Sequence, residues 1–253
     1  MQTQILAYTA DGTKVVGWLH RALGQPKTLV VLIHGHNSDG TRGRFIELAK
    51  WLDHHGVDCL RFSITRKEIS AGVWEVPTLT EEVNQSRAIV QKVRGLYKTV
   101  IVAGHSQGAV IAVQLSLDTL ADAVVSMMGL VDTASNQHDK LRSVGVDLPE
   151  LKKGEHADVQ IDESKTMRYT AAFFEDVVQW DVPTMLTKLH APILFVLAEH
   201  DKSIIPSEVM LGYNAANEPK VLFKVDDGHR FSNATSGVIA HKMLEWMKHE
   251  KLL

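Results

Sequence analysis

The stretch AGHSQGA, residues 103–109, sets a serine between two glycines directly after the apolar run Thr99–Val102. Gly-x-Ser-x-Gly is the pattern of a nucleophile on a sharp strand-to-helix turn. The strained backbone needs neighbours without Cβ bulk so that the hydroxyl can project from the sheet edge. Here it reads Gly104-His105-Ser106-Gln107-Gly108, with a long apolar helical pattern behind it. The N-terminus of that helix would favour negative charge developing nearby.

A serine hydroxyl is a poor nucleophile without a base to take its proton and a group to orient that base. Asp201 follows the apolar run PILFVLAEHD and His229 follows VLFKVDDGH. Both stand just past the carboxyl ends of predicted strands, where an open parallel sheet builds its site. The chemistry of this trio would be nucleophilic attack on a carbonyl by Ser106, with His229 as base and Asp201 fixing its tautomer. Glu199 competes for the place of the acid, and Asp226 and Asp227 lie nearest the base in sequence. Asp201 is preferred because EHDKSIIP reads as a loop with Asp at its apex, followed by a proline-started helix. Two backbone N–H groups would hold the oxyanion, that of Gln107 and that of His36 in the loop HGHNSDG.

Positioning these residues requires strands whose carboxyl ends meet. Short β-branched runs alternate with helical patterns, the signature of βαβ units and a mostly parallel sheet covered on both faces. About eight strands are predicted, opening with an antiparallel hairpin, 4–9 and 14–21, around Asp11-Gly12. The others lie near 29–33, 57–64, 98–103, 123–127, 192–197 and 221–225. Phe45, Ile46, Ala49 and Leu52 form one helical stripe, and Thr78-x-x-Glu81 is a capping box for a helix to about Leu96 with Val83, Ile89, Val90 and Val93 inward. A final amphipathic helix turns Val238, Ile239, Met243, Leu244 and Met247 to the core. Residues 131–190 are too many for an ordinary connection and predict a small cap insertion after the sixth strand, with TMRYTAAFFEDVVQW helix-compatible. The whole chain, 1–253, reads as one domain.

Composition excludes several classes. Of 253 residues, 45% are hydrophobic, enough for a sizeable core, and 27 Lys plus Arg against 30 Asp plus Glu leave a formal charge of −3. Nothing suggests nucleic acid or a membrane surface as a partner. A single cysteine, Cys59, forbids a disulfide framework and reads as a buried thiol. The first residues lack the pattern of a signal peptide, so the cytoplasm is the expected location. His34/His36 and His54/His55 lack the companions of a metal site. Trp74, Met127, Met128, Tyr169, Phe173, Phe174 and Trp180 are candidates for a substrate pocket, with core packing as the competing reading. Trp74, Met128, Tyr169 and Trp180 are preferred among them. His138 and Asp139 could meet a phenolic hydroxyl, though a solvated loop explains them more simply, and His105 and His200 read as supports for their turns.

Through VLIHGHNSDG, VAGHSQGAV, LAEHD and DDGHRF, in that order, the chain resembles the α/β-hydrolase superfamily over nearly its whole length. GHSQGA, the modest insertion and DDGHRFSN look most like small cytoplasmic carboxylesterases of the feruloyl and cinnamoyl esterase group. The loop after the fourth strand, RFSITRKEISAGVW, departs from the Gly- and Ser-rich one usual there. The resemblance implies a serine esterase that forms an acyl-enzyme on a small acyl or aromatic ester, with no metal or organic cofactor. The same residues would serve a thioesterase or peptidase-like hydrolase, and a ligand-binding or signalling protein with a slow triad is an alternative of another class. The expected partner is a small-molecule ester, and a homodimer is compatible with the sequence.

Overall fold

The computed structural model describes residues 2–133 and 154–253. Its strands, in chain order, are β1 (Gln2–Tyr8), β2 (Lys14–His20), β3 (Thr28–Ile33), β4 (Asp58–Ser63), β5 (Lys67–Ser70), β6 (Val73–Glu75), β7 (Thr99–His105), β8 (Ala123–Met127), β9 (His156–Asp162), β10 (Lys165–Thr170), β11 (Ile193–Ala198) and β12 (Lys220–Val225). The helices are α1 (Gly43–His54), α2 (Leu79–Arg94), α3 (Gln107–Leu117), α4 (Ala171–Val177), α5 (Val182–Lys188), α6 (Pro206–Ala215) and α7 (Asn233–His249).

Eight strands form the main sheet in the order β1-β2-β4-β3-β7-β8-β11-β12. The six from β4 to β12 in that order are mutually parallel, and β1 and β2 run antiparallel at one edge. This is the doubly wound sheet that the alternation predicts. Side chains of β3 alternate between the faces: Leu29, Val31 and Ile33 join one core with α2 and α3, while Val30 and Leu32 join the other with α1 and α7. That two-residue period is the ordinary consequence of the pleat, and with both faces covered it makes the central strands apolar throughout.

The Thr78 capping box forms: Thr78 Oγ1 accepts from the Glu81 amide at 3.2 Å, and Glu81 Oε2 accepts from the Thr78 amide at 2.7 Å. In α7 the expected inward stripe holds except at Val238, which is 53% exposed. There the helix turns toward solvent between buried Ser236 and Ile239.

The cap departs from the sequence expectation. A second sheet, β5-β6-β10-β9, stands apart from the main one. Among the described residues the insertion after β8 supplies β9 and β10, and β5 and β6 come from the segment after β4, which from sequence reads as the loop RFSITRKEISAGVW. Within TMRYTAAFFEDVVQW the first five residues end β10 rather than open a helix, because Met167 and Tyr169 alternate inward against Phe173 and Val76. Asp176 of α4 accepts from the Thr80 amide at 3.0 Å and from its hydroxyl, tying the cap to the start of α2.

Candidate active site

The chain runs outward to β4 after β3 and returns to the other side of β3 as β7, so the winding reverses between β3 and β7. A crevice opens at such a switch point, beyond the strand carboxyl ends. The loop after β3 carries His34 to Ser38, and Ser106 follows β7 directly.

Ser106 has φ 55° and ψ −123°, a backbone conformation that L side chains rarely adopt. The glycines around it are required by close approach. A Cβ on Gly104 would lie 2.0 Å from the Gly108 carbonyl oxygen, and one on Gly108 would lie 2.6 Å from the carbonyl oxygens of Ile33 and His34. The strain is held in place by hydrogen bonds from the Ser106 amide to the Met127 carbonyl at 2.9 Å and from the Leu130 amide to the Ser106 carbonyl at 3.2 Å. Gln107 opens α3, in the first turn, where the helix offers its own amides no carbonyl.

Asp201 lies past β11 and His229 past β12, and His229 Nδ1 meets Asp201 Oδ2 at 2.7 Å. The other carboxylate oxygen accepts from the amides of Ser203 at 2.7 Å and Ile204 at 2.9 Å. With Asp201 only 4% exposed, this acceptor set fixes the carboxylate and hence the imidazole. Glu199 is exposed and serves instead through its backbone, donating to the Val225 carbonyl. Asp226 is exposed and pairs with His200 at 2.6 Å. Asp227 shapes the histidine loop by accepting from the Gly228 and Ser232 amides and the Thr235 hydroxyl, which together pull its carboxyl down to about 2.

His105 joins the serine and histidine loops. Its Nε2–H donates to the His229 carbonyl at 2.7 Å, and its ring packs against those of His229, Phe45 and Phe231. Burial holds this imidazole neutral, well below its usual range. His34 is likewise buried and neutral, lowered to about 4. Its Nδ1 donates to the Gly35 carbonyl and its Nε2 accepts from the Ile64 amide, which locks the loop after β3 to the end of β4.

The cap reaches this loop through Tyr169. Its hydroxyl accepts from Asn37 Nδ2 at 2.9 Å and meets His36 Nε2 at 2.8 Å, and Phe173 stacks obliquely on the His36 ring with centroids 5.7 Å apart. Burial raises the Tyr169 phenol to about 12, so it stays protonated. Trp74 packs in the cap beside these residues. The other pocket candidates lie elsewhere. Met127, the last residue of β8, and Met128 just past it are 0% exposed and belong to the core between the sheet and α7. Trp180 packs against the opposite core and donates from Nε1 to Asp176 at 3.3 Å. His138 and Asp139 lie outside the described residues.

Glu82, Arg66 and Asn37 escape sequence reading. Glu82 is buried on the inward stripe of α2, where its Oε2 accepts from Gln107 Nε2 at 2.6 Å, and burial pushes its carboxyl up to about 7. An acid between Leu79 and Val83 on the inward stripe was the available signal. Arg66 and Asn37 stand in loops without periodicity and left none. A cavity of about 900 Å³ lies between the β1–β2 turn, Thr65–Lys67 and α2, and contains none of Ser106, Asp201 or His229. Among the described residues no cluster of three His, Cys, Asp or Glu could hold a metal ion, and no helix is long and apolar enough to cross a membrane.

No protein-family model matches the chain, and no curated protein matches it by sequence. Solved structures do match. The esterase domain of a Rhodothermus marinus protein is 16% identical, with TM-score 0.75 over 98% of both chains. Est1E from Butyrivibrio proteoclasticus, solved with ferulic acid bound, is 16% identical with TM-score 0.77 over 95% of this chain and 98% of its own. The α/β hydrolase GrgF from Penicillium sp. sh18 is 16% identical with TM-score 0.74 over 98% of each. The fold is therefore that of the α/β-hydrolases.

Proposed function

We propose that the protein is a serine esterase that hydrolyses carboxylic esters of small acyl or aromatic, hydroxycinnamoyl-like acids through a covalent acyl-enzyme. The observation that carries this reading is the hydrogen bond between buried Asp201 and half-buried His229, with the His229 backbone held by the residue before a strained serine.

In this reading Ser106 Oγ attacks the ester carbonyl carbon while His229 Nε2 takes its proton, and Asp201 stabilises the imidazolium. The tetrahedral oxyanion is held by the amides of His36 and Gln107, each worth about 2.7–4 kcal/mol of barrier in comparable sites. Collapse breaks the bond to the alcohol, which leaves with the proton from His229. Water attacks the acyl-enzyme, giving its proton to His229, and the second collapse frees the acid and restores Ser106. No redox or metal step is needed for the balance. The aromatic roof of Tyr169 and Phe173 over His36 supports an aromatic or compact acyl group, as does the ferulic acid held by Est1E.

Purified wild type and Ser106→Ala should be compared on p-nitrophenyl acyl esters and methyl hydroxycinnamates, recording burst and steady-state phases. The expected result is turnover by the wild type that falls at least about 10³-fold in the variant. Equal inertness of both on every ester, with ligands still raising Tm, would replace the esterase with a binding protein.

A further inference from the structure

The strained turn at Ser106 is held from the β8 side by two backbone hydrogen bonds. On the α2 side it is held by a side chain. Gln107 is buried and donates from Nε2 to Glu82 Oε2 at 2.6 Å, and Glu82 is buried as well. The contact is therefore made by the residue that follows the nucleophile and opens α3, the one whose amide is the proposed oxyanion donor. An acid at this place on α2 carries a desolvation cost that an apolar side chain like the neighbouring Leu79 and Val83 would not. What it gains is a bond to the acyl-transfer site.

The separation is bounded by covalent geometry. From its backbone nitrogen to Nε2 a glutamine spans at most about 6 Å, so with the 2.6 Å bond Glu82 Oε2 lies within about 9 Å of the Gln107 amide. An oxyanion sits on the order of 3 Å from such a donor, hence within about 12 Å of Glu82. At an effective dielectric of about 20, two unit charges at that distance repel enough to change a rate about tenfold. An ionised Glu82 would oppose the oxyanion, whereas a neutral carboxyl still accepts from Gln107 through its carbonyl oxygen.

We infer that Glu82 is a positioning residue of the acyl-transfer site, fixing Gln107 beside the oxyanion, and that its neutral carboxyl is the working form; this rests on the esterase reading above. Burial raises the carboxyl to about 7, so the working form prevails in mildly acidic solution and is lost as pH rises through that value. The groups around Glu82 come from several elements. Arg66, past β4, favours its anion, while Asp176 of α4 and Glu81 of α2 oppose it. Tyr169 of β10 feels the same charge, stays protonated, and meets His36 in the loop after β3. From β1 and β2, Tyr8 and Lys14 face the cavity between their turn and α2, and His20 turns to Asp53 and Arg61. Asp118, past α3, is paired with Arg87.

The test records kcat and KM of wild type, Glu82→Gln and Glu82→Leu from pH 6 to pH 8.5, on whichever p-nitrophenyl acyl ester or methyl hydroxycinnamate the wild type turns over fastest. His229 must be neutral to act as base in all three proteins, so the ratio of wild type to Glu82→Gln isolates the charge at Glu82. That ratio of kcat is expected to fall about tenfold across the range, with its midpoint near pH 7. Glu82→Leu, which removes the acceptor, should lose at least about tenfold in kcat at every pH with KM little changed. A merely structural role would move Tm and leave the ratio flat. A flat ratio, a ratio that rises with pH, or full kcat in Glu82→Leu overturns the inference and leaves the esterase standing. The Gln variant, which keeps shape and acceptor, decides the matter even where the Leu variant does not fold. Inertness of the wild type on every ester of the panel would remove the esterase reading and this inference with it.

Discussion

Glu82 occupies a position on α2 that the flanking Leu79, Val83, Ile89 and Val90 mark for an apolar side chain. An acid there must find donors or keep its proton, and it does both: Gln107 donates to it, and burial raises it from 4.5 to about 7. The folded protein therefore holds a proton between these values that the unfolded chain releases. Folding stability from this group is full below about pH 4.5, declines as pH rises toward 7, and is gone above. Glu82→Gln keeps an acceptor for Gln107 and abolishes the titration. Its melting temperature should gain on that of wild type as pH rises from 5 to 8; parallel curves would show that Glu82 is an ordinary carboxylate. Taking the difference matters, because His34, lowered to about 4, removes stability on the acid side, as pH falls from 6.5 toward 4, in both proteins alike.

The turn between β7 and α3 was readable from sequence because its chemistry leaves few solutions. Gly104 and Gly108 approach one another and the end of β3 so closely that neither tolerates a methyl group. Gly104→Ala should cost about 3 kcal/mol, the upper range for overpacking a rigid site. Gly95→Ala is the matched control, since that glycine has open space and a negative φ at the end of α2, and it should change stability by less than about 1 kcal/mol. Equal midpoints in urea for the two variants would mean the turn can relax and that its glycines are not a steric requirement. The capping box of α2 was legible for the same reason: its donors and acceptors are three residues apart. Val238 was misread because α7 is amphipathic over a wider arc than the sheet covers.

The cap belongs to the molecule as a whole, since two strands some ninety residues apart pair in parallel, with Met167 opposite Trp74. Its own core is small, Val76, Met167, Tyr169 and Phe173 with a few half-buried neighbours. A core of that size should open independently of the main sheet. Met167→Ala, which removes a fully buried side chain, should cost the cap about 2–4 kcal/mol. Amide exchange should accelerate in β9 and β10 while β3, β7 and β11 keep their protection. Uniform acceleration would mean that cap and sheet unfold as one unit. Because Tyr169 touches both His36 and Asn37, opening the cap would also loosen the loop proposed to hold the oxyanion.

Local rules alone determined the strands and helices of the main layer, the turn at Ser106, and the order in which serine, aspartate and histidine would be presented. Each depends on residues within one element or on the direction of a parallel strand. Tertiary structure decided the rest. It set the Asp201 carboxylate, and not that of exposed Glu199, against His229. It sent Met128 to the core and brought Tyr169 to His36. It also brought Arg66 to the Ser38 carbonyl, Glu82 to Gln107 and Asn37 to Tyr169, across elements with no shared periodicity. Such contacts join residues far apart in the chain, and their energies exist only once the sheet and the cap have closed over them.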